Sequence, residues 1–295
     1  MASQSNPFIS NERSENVPTS IIDKSYIKTF FELLSEINQK AAEKQVASLT
    51  KEGGSSDEEF ENFKIKVRDL FVLSLLIYGS KGEFILCENT EILDKPTFPQ
   101  AIDRIFITNT VRFQNQFKQD PLHVIKVNFD FTKPSVFDWD QKPSHPTQNL
   151  SSFKLESSDE QWIEWATSKI KNSLQTKRTR VGWMHRSHIY DISMWFIIIP
   201  ITFWNLYKLQ VRYDSFFKST NPVLATALYL YIFLLVMYLY MLLFNYLRWA
   251  FPYVEYTGNT QSQSKIHKAV IVFTLLAVLG NFAYEIAKYL IPKIF

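Results

Sequence analysis

Apolar positions along this chain keep three different rhythms. The first is helical: Ile22, Tyr26, Ile27, Phe30, Phe31, Leu33, Leu34 and Ile37 fall on one face of an amphipathic helix, with Ser20 and Asp23 placed to cap its start. The pattern fades after Ala42, and the Gly-Gly-Ser-Ser run at 53–56 breaks the chain. A second helix is expected from Asp57, where Asp57, Glu58 and Glu59 complement the partial positive charge of a helix N-terminus, and it is expected to run to Gly79. Its second half, residues 70–78, is apolar on all sides but only about nine residues long, against the ~20 that cross a bilayer, and so reads as a central core helix.

After Gly82 the rhythm changes to a period of two. A short strand is expected at 83–87. Ile105, Ile107, Val111 and Phe113 alternate within 104–117, and Ile125, Val127, Phe129 and Phe131 alternate within 123–131, with a hairpin turn at 118–121. Residues 134–146 carry prolines and a Trp and read as an ordered loop. A last strand at 152–155 precedes a helix opened by 157–160, with Trp162, Ala166, Ile170 and Leu174 on one stripe. These elements predict an α+β domain over residues 20–175, its helices flanking a mostly antiparallel sheet. Residues 1–19, rich in Ser, Asn and Glu, are expected to form a disordered tail.

The third rhythm is none at all. From residue 191 to the end, Leu, Ile, Phe and Tyr dominate, and an all-α transmembrane region of about three helices is expected, with spans near 191–208, 222–247 and 269–291. The middle segment holds fourteen Leu, Ile, Val and Phe and no charge, a sum of about -4 to -8 kcal/mol on the insertion scale. The first segment is short and contains Pro200, so lying in the interface is its alternative. Tyr229, Tyr231, Tyr238, Tyr240, Tyr246 and Trp249 read as an aromatic belt and helix packing.

Composition matters because its average conceals this division. The 295 residues are 46% hydrophobic, and the mean hydropathy of -0.11 is that of a slightly polar soluble protein. Most of the Lys, Glu, Asp and Gln lie before Asp191, so the chain is expected to meet two solvents. A net charge of +3 and the lack of an arginine-rich tract argue against nucleic acid as a partner. One cysteine, Cys87, fits a reducing compartment, and no cleaved signal peptide is expected. Lys177, Arg178, Arg180 and Arg186 ahead of the first span favour a cytoplasmic N-terminal domain on a multi-pass protein of the plasma or inner membrane.

Three groups of residues carry candidate chemistry. Asn281, Glu285 and Lys288 share one side of the third span, with Asn205 and Asn245 in the other two; they are either helix glue or an ionisable functional site. Lys177, Arg178, Arg180, Trp183, His185, Arg186 and His188, in the basic linker 176–190, are expected to contact anionic lipid headgroups. The spacing of His185 and His188 resembles that of a metal pair but lacks the adjacent Glu and a third ligand, so no metal and no cofactor is expected. Asp130, Asp138, Asp140 and His123 are the weak candidates for catalysis, against a plainer reading as a solvated loop.

The reading that follows is a cytoplasmic domain that senses a ligand or partner and passes the result, through the helix at 159–174 and the basic linker, to an oligomeric membrane module, pore-forming or otherwise. The alternatives are a membrane-anchored enzyme acting on a lipid or nucleotide, and an accessory scaffold subunit. The expected partners are an anionic bilayer and either further copies of the chain or another protein.

Overall fold

A computed structural model describes residues 11–51, 56–137, 143–258 and 266–274, with single positions at 277, 280, 284 and 288. The chain forms two compact units. One comprises Met1–Thr132, Asn149–Arg180 and Tyr253–Thr260; the other comprises Lys133–Gln148, Val181–Pro252 and Gln261–Phe295.

In the first unit six strands form an antiparallel sheet: β1 (Asn11–Asn16), β3 (Ser74–Gly79), β4 (Phe84–Cys87), β5 (Ile102–Thr108), β6 (Val124–Asp130) and β7 (Ser152–Ser157). Their spatial order is β1-β7-β6-β5-β3-β4, while β2 (Ser20–Ile22) pairs in parallel with β8 (Val254–Tyr256). Alternation along the strands sends Leu75, Ile77, Ile105, Ile107, Ile125, Val127, Phe129, Phe153 and Leu155 into one core. Two helices supply the other half of that core, α1 (Lys24–Ser48) with Phe30, Leu34 and Ile37, and α4 (Glu160–Gln175) with Trp162, Ala166 and Ile170. Phe30 meets Phe129 edge-on at 5.4 Å. Each fully buried large side chain contributes about 1.5–3 kcal/mol, enough for a sheet of this size to hold its helices without a disulfide. The flanked antiparallel sheet is the α+β arrangement that the sequence predicts.

Several elements differ from expectation. The helix from Asp57 stops at Asp69 (α2), and the apolar run that follows becomes β3 rather than a core helix. Leu75, Leu76, Ile77 and Tyr78 find cross-strand partners in both β4 and β5, and pairing on both sides outweighs the helical option of a short apolar run. Gly82, at φ 84°, makes the turn into β4. The alternation at 104–117 splits at Asn109: β5 ends at Thr108 and α3 (Thr110–Phe117) follows, so a helix replaces the predicted hairpin, with Lys118 left-handed at φ 57° just past its end. The predicted tail contains β1, an edge strand of polar residues held by backbone pairing to β7. Asp23 alone caps α1, accepting from Tyr26 N at 2.6 Å, while Ser20 lies in β2.

The second unit is helical: α5 (Ile189–Ser193), a π-helical turn at Met194–Ile198, α6 (Ile199–Arg212), α7 (Asp214–Ser219) and α8 (Pro222–Ala250). The π turn lies just before Pro200, where the ring would otherwise collide with the carbonyl four residues back; widening that turn lets the helix continue through the proline. The run Ile189–Arg212 has 24 residues and α8 has 29, lengths of about 36 and 43 Å against a hydrocarbon core of about 30 Å. Both are long and apolar enough to cross a membrane, and only 11% of the apolar window of each is enclosed by the chain. A core helix of a water-soluble protein would be mostly enclosed. The predicted third span, 269–291, falls largely outside the described residues; 266–274 are helical.

Candidate functional site

The arrangement with most bearing on function is a four-residue segment, Thr19–Ile22, gripped from both sides. On one side lies the chain about to leave the α+β unit for the apolar helices: Thr179 N donates to Thr19 O at 2.7 Å, Thr19 Oγ1 donates to Thr179 O at 3.1 Å, and Ile21 N donates to Lys177 O at 3.3 Å. On the other lies the chain that has just returned from them: Ser20 N donates to Tyr253 O at 2.9 Å and Thr257 N to Ile22 O at 2.8 Å, bracketing the β2–β8 pair. One segment therefore clasps both ends of a 72-residue excursion, Val181–Pro252.

Side chains lock the clasp. Lys177 Nζ lies 3.2 Å from Asp23 Oδ2 and over the Tyr26 ring, so the outgoing chain is tied to the cap of α1. The backbone N–H of Tyr26 and the ammonium of Lys177 hold the Asp23 carboxyl below its ordinary value, against the opposing effect of burial. Tyr256, 1% exposed, packs its ring 5.5 Å from that of Phe131, and burial pushes its hydroxyl up to about 12. Sequence reasoning missed this site. Its only trace is Val254 and Tyr256 flanking Glu255, too short a run to distinguish from a loop between two spans.

Within the helical unit a second buried hub fixes the foot of α8. His185 is fully enclosed. Its Nε2 lies 2.7 Å from the Phe251 carbonyl, which can only accept, so Nε2 carries the proton and Nδ1 accepts from Thr147 Oγ1 at 3.1 Å. Burial lowers its pKa to about 4, with Arg248 nearby acting in the same direction and the Phe251 carbonyl opposing. Arg248, itself buried, donates from Nε to Met184 O at 3.2 Å and lies over the Phe244 ring.

The predicted headgroup residues therefore separate. His185 is interior packing, which removes it from any lipid surface; Lys177 is engaged with Asp23; Arg178 pairs with Ser20 through its backbone and is itself exposed. Trp183 is 55% exposed, and Arg180, Arg186 and His188 are exposed as well. His188, left-handed at φ 65°, stands 3.9 Å from Asp191.

Of the catalytic candidates, the two described ones, His123 and Asp130, do not converge. His123 precedes β6 and Asp130 ends it, about 20 Å apart along an extended strand. His123 is buried, with Nδ1 2.7 Å from Ser157 Oγ and its ring against Trp162, and burial lowers its pKa. Asp130 is enclosed by Arg104, Thr132 and Ser151. Asp138 and Asp140 lie outside the described residues, and no group of three potential metal ligands occurs among those described.

Of the polar residues expected within the spans, Asn205 donates to the Ile201 carbonyl of its own helix at 2.9 Å, and Asn245, 9% exposed, reaches the Val136 carbonyl at 3.5 Å. Lys288 is an exposed helical position, and Asn281 and Glu285 lie outside the described residues. Comparison with protein-family models, with curated proteins and with solved structures finds no significant match to this chain.

Proposed function

We propose that the chain is a multi-pass integral membrane protein whose α+β domain, on the cytoplasmic side, responds to a ligand or partner and transmits that response to its membrane helices, acting as an oligomer. The observation that carries this reading is the clasp at Thr19–Ile22, which hydrogen-bonds the chain both before and after the apolar helices. A domain that holds both ends of a helical hairpin requires those ends on one side of the bilayer. It also provides a means of coupling: a small shift of α1, whose cap Asp23 is tied to Lys177, displaces both ends of the hairpin together. The weak enclosure of the two apolar helices supports lipid, further copies of the chain, or both as their surroundings.

Cysteine labelling tests this topology. In a Cys87→Ser background, a cysteine at Asn221, in the turn before α8, should react with an impermeant maleimide only from the face opposite the domain, and a cysteine at Ser14 only from the domain's face. Labelling of both from one side, or release of the chain by alkaline carbonate, would remove the reading.

A scaffold role is favoured by one feature, an exposed apolar strip at the β4 edge of the sheet. Tyr78, Phe84 and Leu86 are 38%, 56% and 50% exposed, and the first two rings lie 5.2 Å apart. A free strand edge with apolar neighbours is a docking surface for protein. A photo-crosslinking residue at Leu86 should yield one discrete protein adduct in intact cells; a wild-type-like smear or no adduct argues against a partner there.

A further inference from the structure

A groove of about 550 Å³ runs between the first apolar helical run and α8, within the 300–1,000 Å³ of ordinary ligand clefts. Its long wall is one stripe of α6, Thr202, Asn205, Lys208 and Arg212, and its short wall is Ile232 and Val236 of α8. The two polar groups in the middle of the stripe turn back on their own helix: Thr202 Oγ1 donates to Ile198 O at 2.7 Å and Asn205 Nδ2 to Ile201 O at 2.9 Å. That self-satisfaction leaves the body of the groove apolar. Its outer end carries two cations one helical turn apart, and among the described residues no acidic side chain lines it.

An apolar trough ending in paired positive charge matches one kind of occupant. We propose that this groove holds an acyl chain of an anionic phospholipid, with Lys208 and Arg212 at the headgroup phosphate. The charge complementarity selects the headgroup, since interfacial Lys and Arg attract anionic lipid whereas a purely apolar trough would accept any chain. The inference rests on the membrane reading above and adds a leaflet to it: these cations lie at the end of α6 that leads into the hairpin turn, so the lipid belongs to the leaflet away from the domain.

The test uses the full chain reconstituted in vesicles of equimolar phosphatidylcholine and phosphatidylglycerol, then extracted gently and weighed by native mass spectrometry. The wild type should retain one lipid per chain, with phosphatidylglycerol favoured about tenfold or more, the scale set by two interfacial cations. Lys208→Gln with Arg212→Gln should abolish the preference, whereas Lys64→Gln with Lys66→Gln, the same loss of charge on α2, should leave it intact. Ile232→Trp should fill the trough and expel the lipid with both cations in place. Four results would overturn the proposal: equal retention of both lipids by the wild type, a preference that survives in the Lys208/Arg212 variant, a preference lost equally in the α2 variant, or a lipid-free dimer whose subunits form a disulfide in the Ile232→Cys variant. Carbonate extraction of the same vesicles separates this outcome from failure of the membrane reading, because a chain that resists extraction yet holds no lipid refutes only the groove.

Discussion

Replacing Tyr256 by alanine should destabilise the α+β unit by about 3–5 kcal/mol, the range for removing a fully buried aromatic ring. The ring is 1% exposed and packs against Phe131, which in turn stands beside Phe129 in the main core, so the cavity would open into the interior of the unit. Neighbouring backbone has little room to collapse into it, because β8 is held to β2 by hydrogen bonds on both flanks. The effect should therefore appear twice: as a lower unfolding midpoint in detergent by near-ultraviolet circular dichroism, and as new protease cleavage within 253–258. Tyr256→Phe, which keeps the ring, should recover most of the loss. A change in stability below about 1 kcal/mol for the alanine variant would mean that β8 contributes little and that the clasp does not hold the returning chain.

The second large effect is a dependence of the helical unit on pH. His185 takes up its proton at about 4 in the folded chain and near its ordinary 6.5 when unfolded. Between those values unfolding brings proton uptake, so stability is fully present above about pH 6.5, falls as the pH drops, and levels off below about 4. The gap corresponds to about 3 kcal/mol. The cause is geometric: both ring nitrogens are engaged in an enclosed site, and a second proton would displace the Thr147 donor and set an imidazolium near Arg248. His185→Gln can keep a donor toward Phe251 and an acceptor toward Thr147 without titrating. Melting temperatures at pH 7.5 and 4.5 should differ by several degrees more in the wild type than in this variant; parallel pH profiles would show that His185 is not the titrating group. The carboxylates whose pKa values are lowered, Asp23 and Glu15 among them, lose their contribution as pH falls through their ordinary range, a loss shared by wild type and variant that cancels between their pH profiles.

Some of this architecture was legible because its signals are local. Asp159 ahead of Trp162 starts α4, accepting from Trp162 N at 3.0 Å, and the acidic first turn of Asp57, Glu58 and Glu59 starts α2; each signal lies within one helical turn. The strands β6 and β7 were readable because one face of each is buried, which writes a period of two into the sequence. The run at 70–78 was not, because an all-apolar stretch of that length has no period, and only its two neighbouring strands make it a strand. The candidate sites fared less well than the fold: His123 and Asp130 are near in sequence, yet an extended strand separates them.

The sequence alone determined where the composition turns apolar and where α2, α4 and α8 begin, since composition and caps act over a few residues. Tertiary structure decided the rest. It made a polar hexapeptide, Asn11–Asn16, into a sheet edge, and it returned three residues after α8 to the domain from which the helices depart. Pairings between residues more than two hundred positions apart, such as Ile22 with Thr257, leave no mark on local composition, because their energy lies in backbone hydrogen bonds that any residue but proline can make.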